Sequence, residues 1–336
     1  MAAMTTDPQA SRPLRWAIIG TGGIARMFAD DLRLSETGEL VAVGSRTAER
    51  GADFARRTSA PRWHADMAEL LAADDVDAVY VAVPHSAHRD FAVAAIEAGK
   101  AVLVEKPFTI NRPQAEELVK LARSRGVFLM EAMWTRFLPH IVRIRELLAQ
   151  GRLGEPRTLT AEHGIWFRHD PAHRLFDPRL GGGALLDLGV YPVSFASMVF
   201  GDPSSVQASG WLGDTGVDGQ TSVVLGYDGG ARAVTTSSME VWLSNRASIA
   251  GTDARVDIDA TWYRPTSFTL TERTGAVERY EFPEPGNGLR YQAEEVARCV
   301  AAGLTESPVM PLDETCRIMG TMDDVRAQIG LRYPGE

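Results

Sequence analysis

Five short apolar runs, four of them followed by a helical pattern, constrain this chain more than any other feature. Leu14 to Gly20 (LRWAIIG) leads into a helical stretch from Ile24 to Leu34, and Leu40 to Arg46 (LVAVGSR) into one from Ala48 to Thr58. Val76 to Pro84 (VDAVYVAVP) precedes His88 to Gly99, Ala101 to Glu105 (AVLVE) precedes Arg112 to Gly126, and Val127 to Met133 (VFLMEAM) closes the series. Runs that are apolar almost throughout, rather than at alternate positions, read as strands buried on both faces. Strand–helix alternation at this spacing predicts an α/β fold with a doubly wound parallel sheet. Such sheets bind ligands beyond the carboxyl ends of their strands, so the informative loops are those after Ile19, Val43, Val83 and Val104.

The first loop, Gly20-Thr21-Gly22-Gly23-Ile24-Ala25, fits G-x-G-x-x-G/A between a strand and a helix. Gly20 would permit the tight turn, Gly22 the approach of a pyrophosphate to backbone amides, and Ala25 the close packing of helix on sheet. The helix start then offers free N–H groups and the positive end of its dipole to phosphates. A plain glycine turn between core elements fits the same residues. At the end of the second strand, where a carboxylate would bind a ribose 2′-hydroxyl, stand Gly44-Ser45-Arg46-Thr47. A guanidinium beside hydroxyls suits a 2′-phosphate, which predicts NADP rather than NAD, unless Arg46 simply lies solvated on the loop. The third loop brings Pro84, His85 and His88 forward as cofactor-binding candidates; a turn role fits His85 equally, and His88 could pack in the first helical turn. In the fourth, Glu105 and Lys106 precede Pro107 where a nicotinamide would lie, and desolvation favours a neutral, proton-accepting lysine. Pairing of Lys106 with a nearby carboxylate is the alternative.

Composition narrows the class of partner. The chain has 336 residues, enough for two ordinary domains, with 45% apolar and 24% charged residues. A net charge of −9 without a Lys/Arg block disfavours nucleic acid and points to a small-molecule substrate. The opening MAAMTTDPQASRPLR lacks the apolar core of a secretory leader, and no stretch approaching a membrane span is expected. Cys299 and Cys316 read as reduced thiols of a cytoplasmic protein. His169 and His173 are not spaced as helix-borne metal ligands, so no catalytic metal is expected.

Beyond the alternating half, Ser205 to Phe282 shows short β-rich runs between Gly/Asp/Asn turns, followed by helical stretches at Leu289–Ala302 and Asp313–Ile329. This predicts an α+β module packed on the first. Between the halves lies Gly181 to Phe195 (GGGALLDLGVYPVSF), where three glycines open an apolar helical run. Glycine starts a helix poorly, so the triplet implies backbone passing close to something bulky. Asp187 and Tyr191 stand four apart and share a helix face; they either satisfy each other in a core or reach into a cavity.

Taken in order, Gly20 to Ala25, Val79 to His88, Ala98-Gly99-Lys100, Glu105-Lys106-Pro107 and Gly181-Gly182-Gly183 with Asp187 and Tyr191 resemble the glucose–fructose oxidoreductase (Gfo/Idh/MocA) family. Tyrosine at 191, Met130 to Phe137 (MEAMWTRF), and the close from Pro311 to Leu331 look like the branch of dimeric dihydrodiol dehydrogenases and NADP-linked D-xylose dehydrogenases. The resemblance implies residues 13–134 as a Rossmann domain after a disordered lead-in (1–12). It implies residues 135–336 as an α+β domain with an open, largely antiparallel sheet, which commonly forms a homodimer interface. It also implies an acid/base pair of Lys106 and Tyr191, with Asp187 orienting substrate hydroxyls; a phenol needs a neighbouring cation to work near neutrality, and Lys106 would supply it. Trp134, Arg136, Phe137, His163, Trp166, Phe167 and Arg168 are pocket-wall candidates for which ordinary packing fits as well. The expected activity is hydride transfer between NADP and a carbinol of a sugar, cyclic polyol or trans-dihydrodiol. A ketosugar reductase working in the other direction and a non-catalytic NADP(H) sensor are the alternatives.

Overall fold

The computed structural model describes residues 12–336, so most of the expected lead-in lies outside the described residues. The first sheet contains β1 (Leu14–Ile19), β2 (Gly38–Gly44), β3 (Trp63–His64), β4 (Ala78–Val81), β5 (Ala101–Glu105) and β6 (Leu129–Ala132) in the order β3-β2-β1-β4-β5-β6. Every pairing in it is parallel. Its helices are α1 (Gly23–Leu32), α2 (Ala48–Thr58), the short α3 (Met67–Ala72), α4 (His88–Glu97) and α5 (Arg112–Arg125). The strand order reverses between β1 and β4, which places a crevice at their carboxyl ends. Residues of β4 and β5 are buried at every position, as their unbroken apolar runs require. Trp16 meets the ring of Phe28 edge-on at 5.4 Å, and Phe28 stacks on Tyr80 at 4.0 Å, locking α1 to the sheet.

After α6 (Pro139–Ala149), the second sheet is built from β7 (Pro156–Gly164), α7 (Val190–Phe200) lying against it, then β8 (Ser205–Leu212), β9 (Asp218–Gly226), β10 (Arg232–Ser238), β11 (Ala247–Gly251), β12 (Ala254–Ile258), β13 (Phe268–Glu272) and β14 (Val277–Tyr280). The order is β14-β13-β12-β11-β7-β10-β9-β8, antiparallel throughout except for β7 with β10. One face packs on α7 and the other is open, so β9 and β10 alternate between buried and exposed positions. Two helices, α8 (Arg290–Ala301) and α9 (Leu312–Ile329), return to the first module. Asp31 of α1 accepts the backbone N–H of Asn287 and of Leu289, the latter at 2.7 Å, and so ties the approach to α8 against α1. Residues 178–200 form a run of 23 residues long and apolar enough to cross a membrane, contrary to the expectation that none exists. The most apolar 18 residues of that run are 78% buried within the protein, and the run includes α7, so its apolarity serves the core.

Glu131 on β6 shows how burial and positioning meet. Its Oε1 accepts the Phe108 N–H at 3.2 Å and its Oε2 the Thr315 hydroxyl at 3.2 Å, joining the loop after β5 to α9. Burial pushes the carboxyl up to about 7. A folded-state value above the ordinary 4.5 means that the native protein binds this proton more tightly than the unfolded chain. The associated stability is complete below pH 4.5 and is lost as pH rises through 7, a change of about 3 kcal/mol. Urea titrations at pH 5 and pH 8.5 are expected to show Glu131→Gln losing clearly less stability than the parent across that interval; equal losses would remove Glu131 from the effect.

Candidate active site

The glycine loop packs where the first sheet opens. Gly20 has φ +116, and a Cβ there would lie 2.1 Å from the Ala82 carbonyl oxygen, so no side chain fits between the ends of β1 and β4. At Gly22 and Gly23, by contrast, an added Cβ would meet nothing within 4 Å. Thr21 and Ile24 flank this opening half-buried, while Ala25 is fully buried against the sheet. Helix α1 starts with no side-chain cap and no acidic residue in its first turn, leaving its N–H groups available to an anion. These features fit a dinucleotide pyrophosphate. At the end of β2, Ser45 is buried and its hydroxyl bonds the Thr47 carbonyl at 3.0 Å, while Thr47 caps α2. Arg46 and Arg50 flank that cap, both exposed and neither ion-paired among the described residues. Arg50 is absent from the sequence expectations, although its place in the first turn of α2 was legible.

The chemistry concentrates at the end of β5. Lys106, in a cis peptide with Pro107, reaches the Asp187 carbonyl with its Nζ at 2.7 Å and Asp187 Oδ1 at 3.5 Å. The same Nζ lies 4.9 Å from the centre of the Tyr191 ring. Asp187 Oδ1 also accepts both terminal nitrogens of Arg174 at 3.1 Å and faces His85 Nε2 at 3.3 Å. Burial pushes the Asp187 carboxyl up, but Lys106, Arg174 and His85 together outweigh it and hold the group well below the usual range. His85 Nδ1 lies 2.8 Å from the Gly181 carbonyl; both neighbours are acceptors, so the ring bridges them, donating to one when neutral and to both when protonated. Burial lowers the His85 pKa, and the hydrogen bond and charge of Asp187 work against it. The histidine expected at the cofactor therefore braces the Asp187 carboxylate instead.

Tyr191 departs from expectation in its electrostatics. Its oxygen accepts the indole N–H of Trp134 at 2.8 Å. Burial, then the nearby Glu105, raise its pKa well above 10, so the phenol keeps its proton despite Lys106. Glu105 is itself pushed up to about 7 by burial, accepts the Lys106 N–H at 3.1 Å, and takes a hydrogen bond from Tyr80. It shapes the loop from beneath.

The glycine triplet has three separate reasons. Gly181 has φ +73, and a Cβ there would lie 2.9 Å from the Cβ of His85. One at Gly182 would meet the Leu175 carbonyl oxygen at 2.5 Å, and one at Gly183 would lie 2.2 Å from Asp218 Oδ1. Asp218 Oδ2 accepts the Leu185 N–H at 2.8 Å and so holds the start of the next turn. Residues Leu185–Gly189 make a π-helical turn before α7, rather than the regular helix expected. From the far end of the chain, Tyr333 donates its hydroxyl to the Gly182 carbonyl at 2.7 Å.

Other expectations need correction. His88 is fully buried with its ring nitrogens 2.9 Å from the Pro107 carbonyl and 3.0 Å from that of Val83; it ties two loops together and faces no open cleft. Arg136 is no pocket wall: buried, it donates to the Ser194 carbonyl at 2.8 Å and to Glu314 at 2.6 Å. Phe137 is buried in the core, Trp166 is largely exposed, and Phe167 packs on a small cluster around Leu175 and Phe176. Trp134 and His163 do reach Tyr191, His163 edge-on at 4.9 Å between ring centres. Sequence reasoning missed Arg174, whose contact with Asp187 depends on the fold of the intervening turn. A groove of about 550 Å³ between α5 and α9 contains none of these residues.

With this geometry in view, similarity to known proteins is informative. A family model described as "Oxidoreductase family, NAD-binding Rossmann fold" matches residues 14–133, and one described as "GFO/IDH/MocA C-terminal domain" matches residues 141–257. Trans-1,2-dihydrobenzene-1,2-diol dehydrogenase of Bos taurus is 38% identical over 336 residues, covering 96% of this chain and 98% of the relative. The enzyme of that name from Homo sapiens is 38% identical over 335 residues, with the same coverage of both chains. Among solved structures, aldose-aldose oxidoreductase from Caulobacter crescentus, complexed with glycerol, superposes with a TM-score of 0.86 at 28% identity, covering 94% of this chain and 97% of the other. A 3-ketoreductase from Actinomadura kijaniata, in complex with NADP and TDP-benzene, gives 0.82 at 29%, covering 94% and 98%.

The packing around the triplet gives a direct test. Gly182→Ala is expected to destabilise the protein by about 1–3 kcal/mol in urea titration, because the added methyl meets backbone that cannot rotate away. Unchanged stability would mean that the turn yields freely.

Proposed function

We propose, from the premise that this chain belongs to the GFO/IDH/MocA oxidoreductase family, that it is an NADP-dependent dehydrogenase or reductase of carbinol carbons in sugars, cyclic polyols or trans-dihydrodiols. The observation that carries this reading is the convergence of Lys106, Asp187 and Tyr191 at the carboxyl end of β5, on the same edge of the parallel sheet as the glycine loop. Gly20, Thr21, Gly22, Gly23, Ile24 and Ala25 would hold the pyrophosphate, and Ser45 and Arg46, helped by Arg50, the 2′-phosphate. No carboxylate stands at residues 44–47 to repel that phosphate.

The bound nicotinamide supplies or takes up hydride at the substrate carbon. The rest is work for side chains. Asp187, fixed through Oδ1 by Arg174, His85 and Lys106, holds substrate hydroxyls by its other oxygen. Tyr191 donates its phenolic proton to the substrate oxygen as a carbonyl is reduced and recovers it when an alcohol is oxidised. Trp134 occupies one lone pair of that phenol and thereby fixes the direction of its O–H. Lys106 places positive charge where the substrate oxygen gains negative charge.

A phenol raised above its ordinary value is protonated near neutral pH, the form that donates when a carbonyl is reduced, as the alternative ketosugar reductase requires. We expect the reduction rate to be flat from pH 6 to 9 and the oxidation rate to keep rising with pH over the same range. An oxidation plateau near pH 7 would contradict the raised phenol. Tyr191→Phe should lose turnover by about a hundredfold or more while NADPH fluorescence titration stays unchanged. Arg46→Glu should abolish an NADPH-over-NADH preference in the same titration; equal binding of both cofactors by the parent would overturn the NADP reading.

The open sheet face supports homodimer formation. Val224 and Val234 are paired across β9 and β10 and both exposed, with exposed Trp211 on β8. Val224→Asp combined with Val234→Asp should convert a dimer to monomer in sedimentation equilibrium, and a parent that is already monomeric would dismiss the assignment.

A further inference from the structure

His163 lies near the end of β7 and is 2% exposed. One face of its imidazole stacks on Tyr263, with ring centres 3.7 Å apart and planes 27° apart. Its ring also meets the Tyr191 ring edge-on, at 72°. Neither ring nitrogen makes a well-formed hydrogen bond among the described residues, and the Leu188 carbonyl offers only a weak contact. Burial lowers its pKa to about 3, so the ring is neutral and carries one N–H donor and one lone pair. A buried polar edge without a partner is costly, and a phenylalanine would fill the same aromatic stack without that cost. The feature that distinguishes histidine here is its capacity for hydrogen bonds beside the phenol that moves the proton.

Resting on the carbinol-oxidoreductase reading above, we infer that His163 is a specificity residue that hydrogen-bonds a substrate hydroxyl beyond the reacting carbinol and its vicinal neighbour, and so selects polyhydroxylated substrates over arene dihydrodiols. A hydroxyl both accepts from an N–H and donates to a lone pair, so a single sugar hydroxyl can satisfy whichever nitrogen it meets. An arene dihydrodiol presents C–H groups at the ring positions where a pyranose carries further hydroxyls. Its binding would therefore bury the imidazole edge against carbon. Sites built to hydrogen-bond a substrate hydroxyl discriminate strongly against analogues that lack it. The curated relatives carry the name of a dihydrodiol dehydrogenase, and this residue gives a physical reason for a different preference within the same framework.

The test measures kcat/KM with NADP for D-xylose, D-glucose and trans-1,2-dihydrobenzene-1,2-diol in the parent, His163→Phe and His163→Gln. The parent is expected to prefer an aldose. His163→Phe should lose about 30-fold or more on that aldose and keep or improve its dihydrodiol rate, while NADPH affinity is unchanged. His163→Gln, which retains a donor and an acceptor, should recover most of the aldose activity. A parent preference for the dihydrodiol, an equal loss on both substrate types, or a glutamine variant that behaves as phenylalanine does would each overturn the inference. A parent that turns over none of these, nor a cyclic polyol or ketosugar, would instead overturn the underlying carbinol reading and the inference with it.

Discussion

One buried carboxylate oxygen joins the two halves of this protein. Asp187 Oδ1 comes from the second module and collects Lys106 and His85 from the first, together with Arg174 from the turn that precedes it. A lysine and a carboxylate brought out of water together are tolerable only because they satisfy each other, with Arg174 adding charge from the solvent side. Removing the anion would leave the buried Lys106 without its counter-charge, with Arg174 reaching in from the surface. The cleft between the modules is therefore organised around a charge balance, and the glycine triplet exists to let the backbone bring Asp187 to that point.

The same turn is braced from outside. Tyr333 holds Gly182, and the segment after α9 is fastened by Glu336, whose carboxylate accepts from Arg326 at 2.8 and 2.9 Å and from Asn111 at 2.8 Å. Arg326 also donates to the Ile110 carbonyl at 2.9 Å, and a Cβ on Gly181 would lie 3.2 Å from Ile110. The segment 326–336 thus touches both the loop that presents Lys106, through Arg326, and the turn that presents Asp187, through Tyr333. Glu131 adds a second tie from the first sheet to α9 beneath the same loop. Precision at the site comes from buried polar links that cross long sequence distances.

The fold was legible where its signal is local. Unbroken apolar strands, helix starts and glycine stops follow from periodicity, and they locate β1, β2, β4, β5 and the helices between them to within a few residues. The two-residue β3, the short α3 and the parallel insertion of β7 beside β10 carry no comparable pattern, because pairing order is decided by partners remote in sequence. At the site, the sequence suggested Lys106, Asp187 and Tyr191 together but did not show what surrounds the phenol. It displayed a neighbouring lysine, whereas burial and Glu105 decide the outcome. Arg136 misled for a related reason: a charged residue in an aromatic stretch looks accessible until Glu314, 178 positions away, is seen to neutralise it. Arg174 became a functional candidate, and His85 a neighbour of Asp187, only once the turn at 181–183 was seen in three dimensions.

The π-helical turn at Leu185–Gly189 has a consequence for how such a site can vary. A π-turn accommodates one residue more than the α-helix it interrupts, so it acts as a local phase shift between Asp187 and Tyr191. Shortening it by a single residue would restore regular winding and rotate the carboxylate by about 100° relative to the phenol. Point substitutions leave that angular offset intact, whereas insertions or deletions reset it in coarse steps. Within this segment, length is held more tightly than composition, and the spacing between the two side chains works as a discrete setting rather than an adjustable one.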